Sequence, residues 1–245
     1  EGSTDSSGAV IVKTMNAGTS GVSGMLSFTS GTTSSGSSGS ILFATGTSVS
    51  GRSGSIVLSA GSGNVGTGSD ISLSSGLSTG LTGGSVSLST GLSTASSSGS
   101  VIVKSSNSGT LGISGEIIFT TGTSSSGASG AFVVHTGNAV IGKAGSIQLS
   151  ISRGNNAAGG MFQLQAGETT ADASFGGSLV LVGGVGSGST LSAGGHVSLT
   201  TGLGTSGTGG FMSLTTGAGT KSSSGFVVLK TKDAGTTGVS GSLIF

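Results

Sequence analysis

The chain has 245 residues, of which 53 are Gly, and Gly, Ser and Thr together account for 139. It contains no Pro, Cys, Trp or Tyr, only 6% of its residues are charged, and its formal net charge is +1. The absence of Cys excludes disulfides, thiolate zinc sites and a Cys nucleophile. So small a net charge gives no electrostatic basis for binding nucleic acid or an anionic membrane.

Disorder is the first structural hypothesis to test, because Gly/Ser-rich chains usually behave as flexible linkers. Two features argue against it: the mean hydropathy is positive, and the apolar residues recur at a fixed spacing. The longest apolar runs are roughly four to six residues, far short of the ~20 that a membrane-spanning helix needs. No membrane insertion is therefore expected.

One short repeat covers the chain. It reads Gly-x-Φ-x-Φ-x-(Thr/Ser)-Gly, where Φ is a large apolar residue, and a run of small polar residues follows. The interval between leading residues is fifteen or sixteen positions, except for two longer intervals on either side of Gly177. Internal repeats of this kind indicate a solenoid or array, so the sequence predicts one domain over residues 1–245. Its sixteen repeats begin at Gly8, Gly24, Gly39, Gly54, Ser69, Gly84, Gly99, Gly115, Gly130, Gly145, Gly160, Gly177, Gly195, Gly210, Gly225 and Gly241.

The third and fifth positions of every repeat are large and apolar, from Val10 and Val12 in the first to Leu243 and Phe245 in the last. The residues between them are often Ser, Thr or Gln, a period of two that is typical of a strand buried on one face. A Gly usually closes the segment, and another often follows five positions later, which predicts two corners per repeat. The fold class expected from the sequence is all-β, a parallel β-solenoid (β-helix) with either one or two repeats per coil.

A longer period is superimposed on the repeat. The blocks from Ser7, Ser98 and Ser224 resemble one another, and each carries a Lys at the sixth position of its repeat: Lys13, Lys104 and Lys230. These lysines form either a regularly spaced surface contact or a charge that prevents unwanted stacking. No atypical capping repeat is visible, although solenoids need caps for solubility. The sequence therefore suggests a segment of a longer array or a protomer of a polymer.

Catalytic, metal and cofactor sites are not expected, and the chain is not predicted to be an enzyme. His135 and His196 lie four repeats apart, too far for a shared metal on a stacked geometry. No repeat position carries an acidic residue in more than two of the sixteen repeats, which excludes the calcium-binding repeat type that needs an Asp in each repeat. The near P-loop from Gly137 lacks the Ser/Thr that would bind Mg²⁺, and no helix pattern follows it.

An interface is the one functional site that the sequence suggests. The fourth position of each repeat should face outward, yet it is apolar in several repeats, and exposed apolar patches usually mark interfaces. The last residues of the sequence are apolar on both faces of the predicted strand. The candidate interface residues are Ile102, Ile118, Val133, Leu42, Val57, Leu243, Ile244 and Phe245.

The motif Ser-Gly-x-Φ-x-Φ-x-Thr-Gly resembles the Gly/Ser/Thr-rich β-solenoid repeat proteins of extracellular filaments and cell-surface adhesin stalks. The resemblance implies an extracellular or cell-surface location and a passive mechanical or adhesive role. The leading hypothesis is a non-catalytic structural subunit of an extracellular fibre or filament. Its partners would be further copies of itself, as a homopolymer, or sister repeat proteins, with a possible glycan on Ser/Thr. The alternatives are an adhesin stalk that presents a binding tip outside this segment and an ice-binding solenoid.

The absence of Trp, Tyr and Cys generates a first prediction. We expect the purified protein to have almost no absorbance at 280 nm, because Phe, the one aromatic residue type present, absorbs at shorter wavelength. An ultraviolet spectrum on material quantified by amino-acid analysis checks this. A strong 280 nm band would show that another chain is present.

Overall fold

The computed structural model describes residues 7–155, 158–188, 192–236 and 238–245. Within these ranges the backbone forms no α-helix and no β-strand. The local features are short bends and turns in the loops of most repeats, for example at 34–36, 64–67 and 94–96. The chain divides into an N-terminal half, Glu1–Thr120, and a C-terminal half, Thr121–Phe245.

The predicted β-solenoid (β-helix) is therefore wrong: the described residues contain no sheet in which repeats could stack. A solenoid coil is held by hydrogen bonds to the coils above and below and by a core between opposing walls. In each repeat one half supplies two large apolar side chains, and the other half supplies mainly Gly, Ser and Thr. Ordering Gly costs the most conformational entropy, and small side chains bury little apolar area in return. One copy of the chain does not have enough apolar surface on a second wall to close a core.

Instead, hydrogen bonds close the loops one at a time. In the N-terminal half, the Gly84 amide donates to the Gly76 carbonyl at 2.9 Å, and that of Gly99 donates to Gly91 at 3.4 Å. In the C-terminal half, Gly210 donates to Gly202 at 2.9 Å and Gly225 to Gly217 at 3.0 Å. Each bond joins the leading Gly of one repeat to the Gly that closes the apolar segment before it. The loop between them has the same length in all four cases.

The two stretched repeats have the same closure. The Gly177 amide donates to the Gly167 carbonyl at 2.8 Å, and the Gly195 amide donates to the Gly184 carbonyl at 2.8 Å. The extra residues of both repeats therefore lie in their loops, as the spacing predicted. Residues 189–191 of the second loop lie outside the described residues. Because longer loops cost little extra closure entropy, such insertions leave the closing hydrogen bond intact.

The two predicted glycine corners have different outcomes. The second loop Gly has a left-handed φ in four repeats: Gly36 (133°), Gly66 (82°), Gly127 (130°) and Gly142 (119°). The Gly that closes the apolar segment in those repeats is outside the left-handed region, so its predicted corner is wrong. The leading Gly is needed for close approach instead. A Cβ added to Gly84 would lie 3.2 Å from the Gly76 nitrogen and 3.2 Å from the Ser75 Cβ.

The repeats that begin at Gly8, Gly99 and Gly225 are one residue longer than the common fifteen-residue repeat and have a different loop. In each, an amide donates to the carbonyl three positions earlier: Gly21 to Gly18 at 3.5 Å, Gly112 to Gly109 at 3.5 Å, and Gly238 to Gly235 at 3.4 Å. The extra residue is thus taken up by a tight Gly-Thr-x-Gly turn. We call these three the turn-bearing repeats, and we call the fifteen-residue repeats the common repeats.

Loop closure generates a second prediction. Gly84→Ala places its methyl group against the Gly76 backbone, and we expect amide hydrogen exchange at residue 84 to accelerate roughly fivefold, the value of one hydrogen bond of about 1 kcal/mol. Gly76→Ala is the matched control, because a Cβ there meets nothing within 4 Å. Equal exchange rates at residue 84 in the two variants would contradict the closure.

Candidate self-association surface

The large apolar side chains at the third and fifth positions are exposed in every repeat. None of them is buried, and their exposed fractions run from 45% at Ile117 to 99% at Phe245. The described residues contain no buried residue of any type. A sequence with a strict apolar pattern therefore presents that pattern at its surface.

The least exposed residues are small. Within the described ranges the half-buried positions, such as Thr14, Ser105 and Thr216, lie beside the loop closures. A Cβ added to Gly24 would lie 3.4 Å from Thr14 Cγ2, and one added to Gly115 would lie 3.4 Å from Ser105 Cβ. Packing within one copy is thus concentrated where a leading Gly meets the Ser or Thr of the preceding repeat. It leaves the side chains of the apolar segments exposed.

The total exposed surface is 24385 Å². A folded monomer of 22.7 kDa would expose roughly 9,500 Å². The excess, on the order of 15,000 Å², is several times the roughly 1,200–2,000 Å² that a stable protein interface buries in total. A single copy therefore offers far more surface than one association needs.

Exposure alternates along the apolar segments as it would for side chains on two faces. Ile41 is 49% exposed and Leu42 is 84% exposed, and Val101 and Ile102 are 57% and 77% exposed. The third-position residue is the more covered member of both pairs, whereas the order is reversed in the first repeat, where Val10 is 92% and Ile11 is 77% exposed. Outside the first repeat, the predicted period of two thus survives as a difference in exposure, without strands.

The candidate interface residues are all exposed. The fourth-position residues Leu42, Val57, Ile102 and Ile118 lie in the N-terminal half, and Val133 lies in the C-terminal half. Leu243, Ile244 and Phe245 are exposed as well. These side chains are therefore accessible to a partner.

Equivalent positions of successive repeats can contact each other. The rings of Phe28 and Phe43, both at the fifth position, have their centroids 6.3 Å apart with an angle of 87° between the planes. Edge-to-face pairs of this geometry are favourable beyond the area that they bury. Side chains at the same position of different repeats can therefore pack against each other.

The sequence pattern did not reveal a second set of exposed apolar residues, which lie in the loops. Val22, Ile113 and Val239 are 97%, 96% and 97% exposed. Each lies two positions before a leading Gly and directly after the turn of a turn-bearing repeat. Their shared place in the turn-bearing repeats is the signal that could have identified them.

The described ranges contain no pocket and no cluster of His, Asp and Glu that could hold a metal ion. In that part of the chain no helix has the length and apolar character needed to cross a lipid bilayer. No protein-family description, curated protein or solved structure matches this chain. The exposed apolar residues are therefore the candidate functional surface.

The fourth-position residues generate a third prediction. Replacing Ile102, Ile118 and Val133 together with Lys removes apolar area from a surface that is already exposed in one copy. We expect association between copies to weaken and the loop hydrogen bonds to remain, as read by sedimentation velocity and amide exchange. The matched control places the same charges at the fourth positions of other repeats, Ser72, Ser87 and Ser198. Equal weakening in both triple variants would mean that charge, and not apolar contact, is responsible.

Proposed function

We propose that this chain is a non-catalytic structural protein whose copies assemble with one another through their apolar segments into an extracellular fibre or filament. The observation that carries the proposal is the exposure of every third- and fifth-position residue. Burying one such side chain contributes about 1.5–3 kcal/mol. A chain that cannot bury them internally gains this free energy only from a neighbour.

A second copy of the chain is the occupant that fits this surface best. The apolar pairs recur once in each repeat, at nearly constant intervals, so only a surface with the same period covers all of them together. The net charge of +1 imposes little long-range repulsion between copies. The Phe28–Phe43 contact supports the pairing of like repeat positions.

The remaining parts of the proposal have separate support. A structural role fits a chain in which two His residues and seven acidic residues are scattered over the sequence, because acid–base catalysis needs such groups close together. The extracellular location rests on the resemblance of the repeat motif to filament and cell-surface proteins. Sister repeat proteins with the same period would fit the surface in the same way.

A pair of double variants generates the fourth prediction and tests the proposal. Ile71→Asp with Val86→Asp removes two third-position side chains. Ser72→Asp with Ser87→Asp adds the same charge at the adjacent positions of the same repeats. We expect the first variant to associate roughly a hundredfold more weakly than the second, since two buried apolar side chains are lost. Sedimentation velocity over a concentration series measures how strongly each variant associates, and negative-stain microscopy shows the assemblies that form.

The outcome for the unmodified chain decides the proposal. Filaments or large assemblies that form in proportion to concentration would support it. A chain that remains monomeric at high concentration would overturn it and would favour a monomeric stalk.

A further inference from the structure

The turn-bearing repeats differ from the common repeats in the same three ways. Each has one extra residue and a tight turn closed by a Gly-to-Gly hydrogen bond of 3.4 or 3.5 Å. Each carries a Lys at its sixth position. Each places a β-branched apolar side chain, Val22, Ile113 or Val239, two positions before the next leading Gly, where it is almost completely exposed. In the common repeats the corresponding position holds Ser, Thr, Ala, Arg or Lys.

These three repeats are spaced unequally along the chain. They are the first, seventh and fifteenth, so they are separated by six and by eight repeats. If two parallel copies are offset by six, eight or fourteen repeats, one turn-bearing repeat of one copy lies opposite a turn-bearing repeat of the other. At any other non-zero offset no turn-bearing repeats lie opposite each other. All three do so only when the offset is zero.

The longer loops give the same result. The repeats that begin at Gly160 and Gly177 exceed the common repeat by two and by three positions, and their extra residues lie in loops closed at Gly177 and Gly195. In a shifted parallel pair these loops would face loops of a different length. In an antiparallel pair with its ends aligned, the repeats that begin at Gly99, Gly160 and Gly177 face common repeats, so the loop lengths disagree there. Only parallel copies without an offset match every loop.

We infer that copies of this chain associate in parallel and in register, with each turn-bearing repeat against the equivalent repeat of the neighbour. Val22 then lies beside the partner's Val22, and the same holds for Ile113 and Val239. This inference rests on the proposed self-assembly and adds its partner geometry: the apolar segments supply attraction in any register, and the turn-bearing repeats select one. Period alone would leave the register open, as it does in strands whose pattern repeats.

The alignment of like-charged lysines opposes this register, but their repulsion is weaker than the attraction between the apolar side chains. Lys13, Lys104 and Lys230 would each face the same residue of the neighbour, and like charges directly opposite one another are destabilising. All three are exposed, so their flexible ends can diverge into water. Salt screens charges beyond about 8 Å at physiological ionic strength. The apolar side chains of the turn-bearing repeats have no comparable way to be solvated favourably.

Single cysteines generate the fifth prediction, because the chain has no Cys of its own. Val22→Cys, Ile113→Cys and Val239→Cys are each assembled and treated with a short bis-maleimide. We expect a cross-linked dimer from each variant. When assemblies are mixed from isotopically labelled Val22→Cys and unlabelled Ser37→Cys chains, same-site dimers should exceed cross-site dimers by about tenfold or more. Comparable amounts of the two products would overturn the inference.

A second pair of variants tests which residues select the register. With Ser37→Cys and Ser72→Cys chains as markers, Val22→Ser, Ile113→Ser and Val239→Ser are introduced together, and we expect the same-site preference to fall to about twofold or less. The matched control is Leu77→Ser, Leu81→Ser and Leu92→Ser, which removes three exposed loop side chains from common repeats. It should leave the preference unchanged, and an equal loss in both triple variants would overturn the inference.

These experiments distinguish failure of the register from failure of self-assembly. If no assembly sediments, the proposed function fails and the cross-links are not expected. If assemblies form but the same-site preference is absent, the proposed function stands and the register inference is wrong.

Discussion

The structure of one copy depends on the balance between the free energy gained by burying apolar side chains and the conformational entropy lost when the chain is ordered. Each repeat provides two large apolar side chains at its third and fifth positions, and over half of the chain is Gly, Ser or Thr. Ordering a Gly-rich backbone costs conformational entropy, and small side chains bury little apolar area in return. The described residues of one copy accordingly have no buried core.

The ordered features of one copy are local, and they depend on hydrogen bonds made by Gly backbones and Ser hydroxyls. Hydrogen bonds between Gly backbones close the loops, as between Gly84 and Gly76. Side-chain hydroxyls support the same loops: the Ser78 Oγ accepts from the Leu81 amide at 3.0 Å, and the Ser93 Oγ accepts from the Ser96 amide at 2.9 Å. Such contacts over a short sequence separation have a low closure entropy. They hold the loop ends together without covering the apolar segments.

In the proposed assembly, the apolar segments of a neighbour would cover those of the first copy. The side chains that are exposed in one copy would become the contact between copies, and the repeated period would let many weak contacts form together. Regularity also has a cost, since a uniform repeat can pair in many registers. In the register that we infer, the departures from uniformity, namely the three turn-bearing repeats and the two longer loops, would select one alignment of the copies.

The sequence by itself determined the repeat length, the places of the loops and the alternation of side chains. Ile41 and Leu42 differ in exposure as the period of two predicts, because adjacent side chains of a segment point to different sides. The extra residues near Gly177 lie in loops, as their spacing indicated. All of these are local properties, which depend on nearby residues in the chain.

Only the tertiary structure decided whether the segments pair and what becomes covered. The sequence pattern of a half-buried strand does not say whether a second wall exists to bury it, and the structure has none among its described residues. The sequence likewise did not show that Gly84 closely approaches Gly76. A Gly that is needed for its backbone angle and a Gly that is needed for close packing look the same in a sequence. The exposed Val22, Ile113 and Val239 were missed because their importance depends on the turns beside them, which the structure alone displays.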